Sequence, residues 1–203
     1  MRSQRGSSAS GSLLELVMIV AVALGLAIGI QAFLVKPYRI PSASMVPTLD
    51  PGQRVLVNRL GMRFGEPEVG EVVVFHPPTG AEDGPTCGEQ IPDGELCNKE
   101  TPEKADTNFI KRIVAGPGDR IRVEDGSVIR NGRRVDEPYT APCGGGSSCT
   151  FQNEITVPAD HWFMMGDNRG SSDDSRFWGP VPTEWIIGDA FATYWPPNKI
   201  GLL

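Results

Sequence analysis

Histidine is almost missing from this chain: His76, before Pro77-Pro78, and His161, before Trp162, are the only two in 203 residues. Neither stands in a serine-hydrolase setting, and two isolated histidines without His-Glu-x-x-His spacing do not build a zinc site. Ser–His and zinc chemistry are therefore set aside. Cysteine is sparse as well, and Cys87, Cys97, Cys143 and Cys149 show no Cys-x-x-Cys spacing, which removes a zinc knuckle. Blocks of like charge are lacking beyond the mixed stretch from Glu100 to Asp106, and the formal net charge is −6. Nothing here offers the basic footprint that a nucleic-acid partner requires.

What the chain does have is one long apolar run, "LVMIVAVALGLAIGIQAFLV" from Leu16 to Val35, in which only Gln31 is strongly polar. As a helix this run spans about 30 Å, the thickness of a bilayer core, and it exceeds the roughly 7–15 residues of a signal-peptide hydrophobic region. The reading is a retained membrane span over 13–35 behind a short tail at 1–12, with a cleaved leader or a buried helix as the alternative. Flanking charge does not orient it, because Arg2 and Arg5 are matched by Lys36 and Arg39. The cysteines help. Local disulfides Cys87–Cys97 and Cys143–Cys149 suit an oxidising compartment, against the alternative of four reduced thiols, so 36–203 is expected outside the cytoplasm with the N-terminus inside. No second apolar span follows Trp195, which leaves the C-terminus expected on that outer side.

With 24 glycines, 18 prolines and many short Val/Ile stretches, the soluble part reads as mainly β and mostly antiparallel. Strands are expected from Arg54 to Asn58, Glu71 to Phe75, Phe109 to Ala115, Arg120 to Glu124, Trp162 to Met165 and Ala190 to Trp195. Residues 76–107, acidic and rich in proline and glycine, read as a surface excursion. Residues 117–158 read as a smaller β unit with hairpin turns at Asp125-Gly126 and Asn131-Gly132.

Without histidine, a neutral lysine is the available base. In "NFIKRIV", strand alternation sets Lys111 on one face with Phe109 and Ile113, and Arg112 on the other with Ile110 and Val114. Apolar neighbours strip water from the amine and lower its pKa, at a cost of about 3 kcal/mol for neutrality near pH 8. Such an amine can take the proton of a serine hydroxyl. Alone, Lys111 reads first as a snorkelling sheet residue. Ser42 and Ser44, one position apart in "IPSASM" past the apolar run, read equally as a signal-peptide cleavage point. The acidic loop "DNRGSSDDS" lacks calcium-loop spacing and carries arginines, so no metal is expected.

Taken together and in order, "SASMVPTL" after the apolar run, "GQRVLV", "NFIKRIVAGPGD" and "MMGDNRGSSDDSRFWG" resemble the bacterial type I signal peptidases. The resemblance covers the anchor and most of the chain from Tyr38 to Trp195, and is weak over 1–12, 76–107 and 133–156. It implies a fold of coiled, mostly antiparallel sheets with a small β insertion, no cofactor, and a serine endopeptidase that removes signal peptides from exported preproteins. It also implies Ser44 as nucleophile, Lys111 as general base, Ser42 with the Ser44 N–H as oxyanion donors, and Ser172 as the hydroxyl that orients the lysine. Tyr38, Ile40, Pro41, Met45, Leu49 and Ile110 match positions that wall two shallow pockets for small side chains. Arg112, Asp167, Asp174 and Arg176 match positions that brace the site. The implied protein is a single-pass monomer on the cytoplasmic membrane, cutting after Ala-x-Ala-like sequences at its outer face, with lipid and preproteins as partners. Two departures stand out: Ala43 where glycine is common, and Gln53 where an aspartate is common. A self-cleaving repressor or a processing peptidase of conjugation systems would share the fold, and an anchored, non-catalytic β module that binds exported chains is the reading from a different class.

Overall fold

Short β-branched stretches broken by glycine, proline and aspartate fold into twelve strands among the described residues. The structure is a computed structural model that describes residues 9–60, 65–84, 86–145 and 148–203, with side chains left aside at 9–12, 28 and 30–33. Helix α1 (Ala9–Phe33) comes first, and its apolar side chains from Leu13 to Leu26 are exposed along their length. Among the described residues no helix is long and apolar enough to cross a membrane. The span expected at 13–35 includes side chains outside them.

The strands follow in order as β1 (Val35–Arg39), β2 (Arg54–Asn58), β3 (Val72–Phe75), β4 (Phe109–Ala115), β5 (Arg120–Glu124), β6 (Ser127–Arg130), β7 (Arg133–Arg134), β8 (Ile155–Thr156), β9 (His161–Met165), β10 (Val181–Pro182), β11 (Ile186–Trp195) and β12 (Gly201–Leu202). The larger sheet runs β1-β2-β11-β3-β4-β9-β10, with β12 also on β11, and its pairings are antiparallel. The smaller sheet runs β7-β6-β5-β8, antiparallel as well.

Alternation along β3 explains how the core divides. Val73 and Phe75 join Ile113, Met164 and Trp178 on one face, while Val72 and Val74 join Ile40, Met45, Leu49 and Ile110 on the other. A third cluster closes the small sheet onto the large one: Ile121, Val123, Val128 and Ile155 pack against Val114, Phe163 and Met165. Strand β4 thus contributes to all three clusters, which is why six of its seven residues are buried. Lys111 and Arg112, which it carries, are set deep in the packed sheet.

Three expected strands, Arg54 to Asn58, Phe109 to Ala115 and Arg120 to Glu124, have the expected bounds. The strand expected at Glu71 begins at Val72, that at Trp162 begins at His161, and that at Ala190 is the second half of a longer strand bent by register shifts between Ala190 and Ala192 and between Thr193 and Trp195. Strand β1 was not expected, because Lys36-Pro37 looks like the end of a helix; it lies at the sheet edge, where proline is tolerated. Both hairpin turns have paired positive φ, 48° and 72° at Asp125-Gly126 and 54° and 77° at Asn131-Gly132, as a type I′ turn requires. The 76–107 excursion is more than a surface detour: Leu96 and Cys97 are fully buried, and its few apolar residues are the ones that tuck into the body.

Gly188 of β11 lies tight against β2, where an added Cβ would lie 2.3 Å from the Asn58 carbonyl oxygen. Gly188→Ala should lower stability by roughly 1–3 kcal/mol, read from the denaturant midpoint, whereas Gly201→Ala, which faces open space, should change it by less than about 0.5 kcal/mol.

Candidate active site

Immediately after β1 the chain leaves the sheet edge and folds back over it. Burial of Ile40, Met45 and Leu49 in the core pins this segment down, and Ser44 stands between these anchors at 7% exposure. Lys111, in the middle of β4, is 4% exposed and shares the face of Phe109, whose ring centroid is 5.6 Å from the amine. Its Nζ donates to Ser44 Oγ at 2.8 Å across 67 positions of sequence. Two residues with no sequence proximity are thereby brought into hydrogen-bond contact, within the reach that a serine and an activating amine would need.

Burial is the main influence on that amine. It lowers the Lys111 pKa from 10.5 to about 8; the carboxylates of Asp174, Asp173 and Asp167 pull it back up, while the Arg176 charge lowers it further. Desolvation prevails because each of the two fully buried carboxylates already has an arginine. Arg112 grips Asp167 through both oxygens, Nε to Oδ1 at 2.9 Å and Nη2 to Oδ2 at 2.7 Å, and stacks over the Tyr139 ring at 4.0 Å. Arg176 grips Asp174 likewise at 2.7 Å and 2.9 Å. Burial pushes the Asp174 carboxyl up, but the Arg176 charge, its hydrogen bonds and the Gly166 N–H outweigh this and hold it below its ordinary value. Asp174 also caps the short helix α2 (Ser175–Trp178).

These pairs connect the elements around the site. Asp167 accepts a hydrogen bond from the Thr48 hydroxyl, so one carboxylate joins the Ser44 segment to Arg112 of β4. Arg176 donates to the Ser172 carbonyl at 3.0 Å and to the Ser148 carbonyl at 2.7 Å, and its own carbonyl accepts from the Cys97 N–H at 3.0 Å. Both disulfides, Cys87–Cys97 and Cys143–Cys149, are present, and each closes a loop that reaches Arg176. The peptide unit between Asp167 and Asn168 accepts from the Ala141 N–H at 2.9 Å and donates to the Ser44 carbonyl at 3.0 Å.

Of the other expected site residues, Ser42 places its hydroxyl 3.3 Å from Ser44 Oγ. Ser172 is buried but makes no hydrogen bond to Lys111: its hydroxyl donates to the Asp173 carbonyl at 3.5 Å, while the amine is bonded to Ser44. Expected pocket residues divide. Pro41 and Ile110 border a cleft of about 320 Å³ that contains Ser44 and Lys111. Ile40, Met45 and Leu49 instead turn inward, since the segment needs them as anchors, and Tyr38 packs against that core. Ala43 has no positive φ, so the absence of glycine costs nothing there, and Gln53 fills its position by accepting the Asp50 N–H at 2.7 Å.

Sequence reasoning missed Thr48 and also Asn168, whose side chain donates to the Ala43 carbonyl at 3.1 Å. Both lie inside the quoted motifs, which was the available signal. Missed too were Ala81, Glu82, Asn108, Phe109 and Asp173 on the cleft wall; Asn108 and Phe109 precede the lysine, whereas Ala81 and Glu82 carry no sequence signal. The two histidines border a different and larger cavity of about 950 Å³ that shares no residue with the cleft. There His161 meets Glu100 at 3.3 Å, and His76 faces the carbonyls of Ala105 and Thr107.

Comparison with known proteins places this geometry in context. Residues 13–195 match the family described as "Signal peptidase, peptidase S26". A "Probable signal peptidase I-2" of Synechocystis sp. is 37% identical over 190 residues, covering 94% of this chain and 77% of the relative. A "Signal peptidase I" of Leptolyngbya laminosa is 34% identical over 196 residues, covering 96% of this chain and 86% of the relative. Among solved structures, a signal peptidase I from Enterococcus faecalis is similar over 61% of this chain and 96% of that one, at 21% identity and a TM-score of 0.40.

The buried amine has a thermodynamic signature. Folded Lys111 loses its proton at about 8 and the unfolded residue at 10.5, so between these values the unfolded chain holds the extra proton and stability rises with pH. Below about pH 8 the full cost, roughly 3 kcal/mol, is present. Lys111→Met should therefore be more stable than the parent at pH 7 by about 2–3 kcal/mol, with a gap that narrows between pH 8 and 10.5. Chemical denaturation across that range checks this, and a gap independent of pH would contradict it.

Proposed function

Because the chain belongs to the signal peptidase family, peptidase S26, we propose that it is a membrane-anchored serine endopeptidase that removes signal peptides from exported preproteins with a Ser44–Lys111 dyad. One observation carries the mechanism: the buried amine of Lys111 lies 2.8 Å from the Ser44 hydroxyl, with its pKa lowered to about 8. In its neutral form the amine accepts the hydroxyl proton as Oγ attacks the scissile carbonyl. Negative charge then develops on the carbonyl oxygen, where the Ser44 N–H and the Ser42 hydroxyl are the donors at hand, each worth about 3–4 kcal/mol in such a role. The ammonium returns its proton to the departing amine, leaving an acyl group on Ser44. A water molecule, deprotonated by Lys111, releases it.

Small-x-small sequences are the substrates this reading expects, since a confined cleft rejects large side chains more strongly than it rewards small ones. Residues 13–35 serve as the membrane span, with 36–203 on the outer face, where the two disulfides are at home. The exposed apolar side chains of α1 support this placement. The chain acts as a monomer, without metal or cofactor.

Ser44→Ala and Lys111→Met should each abolish cleavage of a preprotein with an Ala-x-Ala site, measured by gel mobility; unchanged cleavage in both would sink the dyad. For the parent chain, kcat/KM should climb about tenfold per pH unit below about 8 and level off above it, as the neutral amine becomes the dominant form. After alkaline carbonate extraction the full chain should stay in the membrane fraction and a 36–203 form should not; release of both would remove the anchor.

A further inference from the structure

The first turn of the 76–107 excursion lies against the reacting groups. We infer that Ala81 and Glu82 form a specificity-determining wall of the cleft: Ala81 limits the size of one substrate side chain, and Glu82 favours a positively charged residue close to the scissile bond. The inference rests on the peptide-cleaving reading of that cleft.

Both residues border the same cleft as Ser44 and Lys111. Ala81 is 3% exposed and belongs to the core cluster of Val73, Phe75 and Trp178, so this wall has no room to retreat from a substrate side chain, and a larger residue at 81, for which the core has no space, displaces the wall toward the cleft. The turn itself is fixed from both sides. Within it the Ala81 N–H donates to the Pro78 carbonyl at 3.1 Å and the Asp83 N–H to the Gly80 carbonyl at 3.1 Å. From the returning strand of the excursion the Glu103 carbonyl accepts the Thr79 N–H at 2.8 Å, and the Thr101 hydroxyl donates to the Thr79 carbonyl at 3.1 Å. Further along, the Cys87–Cys97 disulfide and the bond from the Cys97 N–H to the Arg176 carbonyl tie the excursion to helix α2, whose arginine pairs with Asp174. A wall held in this way selects by shape without the entropy loss of ordering on each encounter.

Glu82 is exposed and has no ion-pair or hydrogen-bond partner among the described residues, so its charge is available to a bound chain. It also belongs to the most negative part of the protein. Residues 76–107 contain eight acidic residues and two lysines, a net −6 that equals the formal charge of the whole sequence. A substrate ammonium entering the cleft is drawn by this field and a carboxylate is repelled. Because the carboxylate stands on a wet rim, the discrimination is modest, about fivefold.

The test uses the full chain in detergent and peptides with alanine at the first and third positions before the cut, carrying Lys, Gln or Glu at the second position before it or at the first two after it. At low salt the Lys peptide should exceed the Glu peptide about fivefold in kcat/KM at one or more of these positions, and the ratio should fall towards one in about 0.5 M salt. Glu82→Gln should flatten this preference and Glu82→Lys should invert it. Ala81→Val and Ala81→Leu should progressively penalise serine or valine relative to alanine at one of the two small positions, by about tenfold for Leu. Equal cleavage of Lys and Glu peptides at every position, a charge preference untouched by Glu82→Lys, or an unaltered size profile in both Ala81 variants would overturn the inference. If the parent cuts none of the peptides, the peptidase reading fails separately. Binding of the same peptides, followed by fluorescence anisotropy, then decides: a Lys-over-Glu preference inverted by Glu82→Lys keeps the wall, and its absence removes it.

Discussion

Keeping an amine dry beside a hydroxyl is the constraint around which this protein is arranged. An ammonium at the Lys111 position loses its hydration to Phe109 and the packed sheet, and the same packing that lowers its proton affinity also fixes its distance from Ser44. Such a site fails if buried carboxylates lie unpaired nearby, because their charge would restore the proton; Asp173, which also raises the amine's pKa, is exposed and screened by water. Asp167 and Asp174, both fully buried, are close enough to do so. Each is instead matched by a bidentate arginine, and together the pairs keep the surroundings of the amine near electrical balance. The arginines are thus a condition of the lysine's chemistry as well as of the fold.

Arg176 also shows why distant parts of the chain bear on the site. Its guanidinium and carbonyl collect partners from the loop of one disulfide, from the excursion closed by the other, and from the serine loop. Neither disulfide touches the reacting groups, yet each constrains a segment that holds the arginine against Asp174.

How far the sequence went depended on what kind of order each residue obeys. Strand alternation assigned Lys111 to the Phe109 face and Arg112 to the opposite one, and the structure has this arrangement because a central strand buried on both sides leaves no freedom of register. Asp125-Gly126 and Asn131-Gly132 were legible for a similar reason, since their backbone geometry admits few residues. Strand β1 was not, because its pairing is decided by β2, twenty residues away, and its own residues look like a helix end. Neither was the inward turn of Met45 and Leu49, which are apolar whether they line a cleft or anchor a segment. Ala81 and Glu82 belong to a stretch with no periodicity, and only the folded chain brings them to Ser44.

The peptide unit between Asp167 and Asn168 gives the small sheet a hold on Ser44 that differs in kind from the ion pairs. Its oxygen is occupied by the segment leading out of the small sheet and its N–H by the Ser44 carbonyl, so one rigid plane has a partner at each end. Charge drawn at one end strengthens the bond at the other. Because only main-chain atoms take part, the link does not depend on the side chains at Ala141, Asp167, Asn168 or Ser44, although proline at Ala141 or Asn168 would remove a donor. The surface of the small sheet can then be rewritten without touching the bonds that hold its position relative to Ser44.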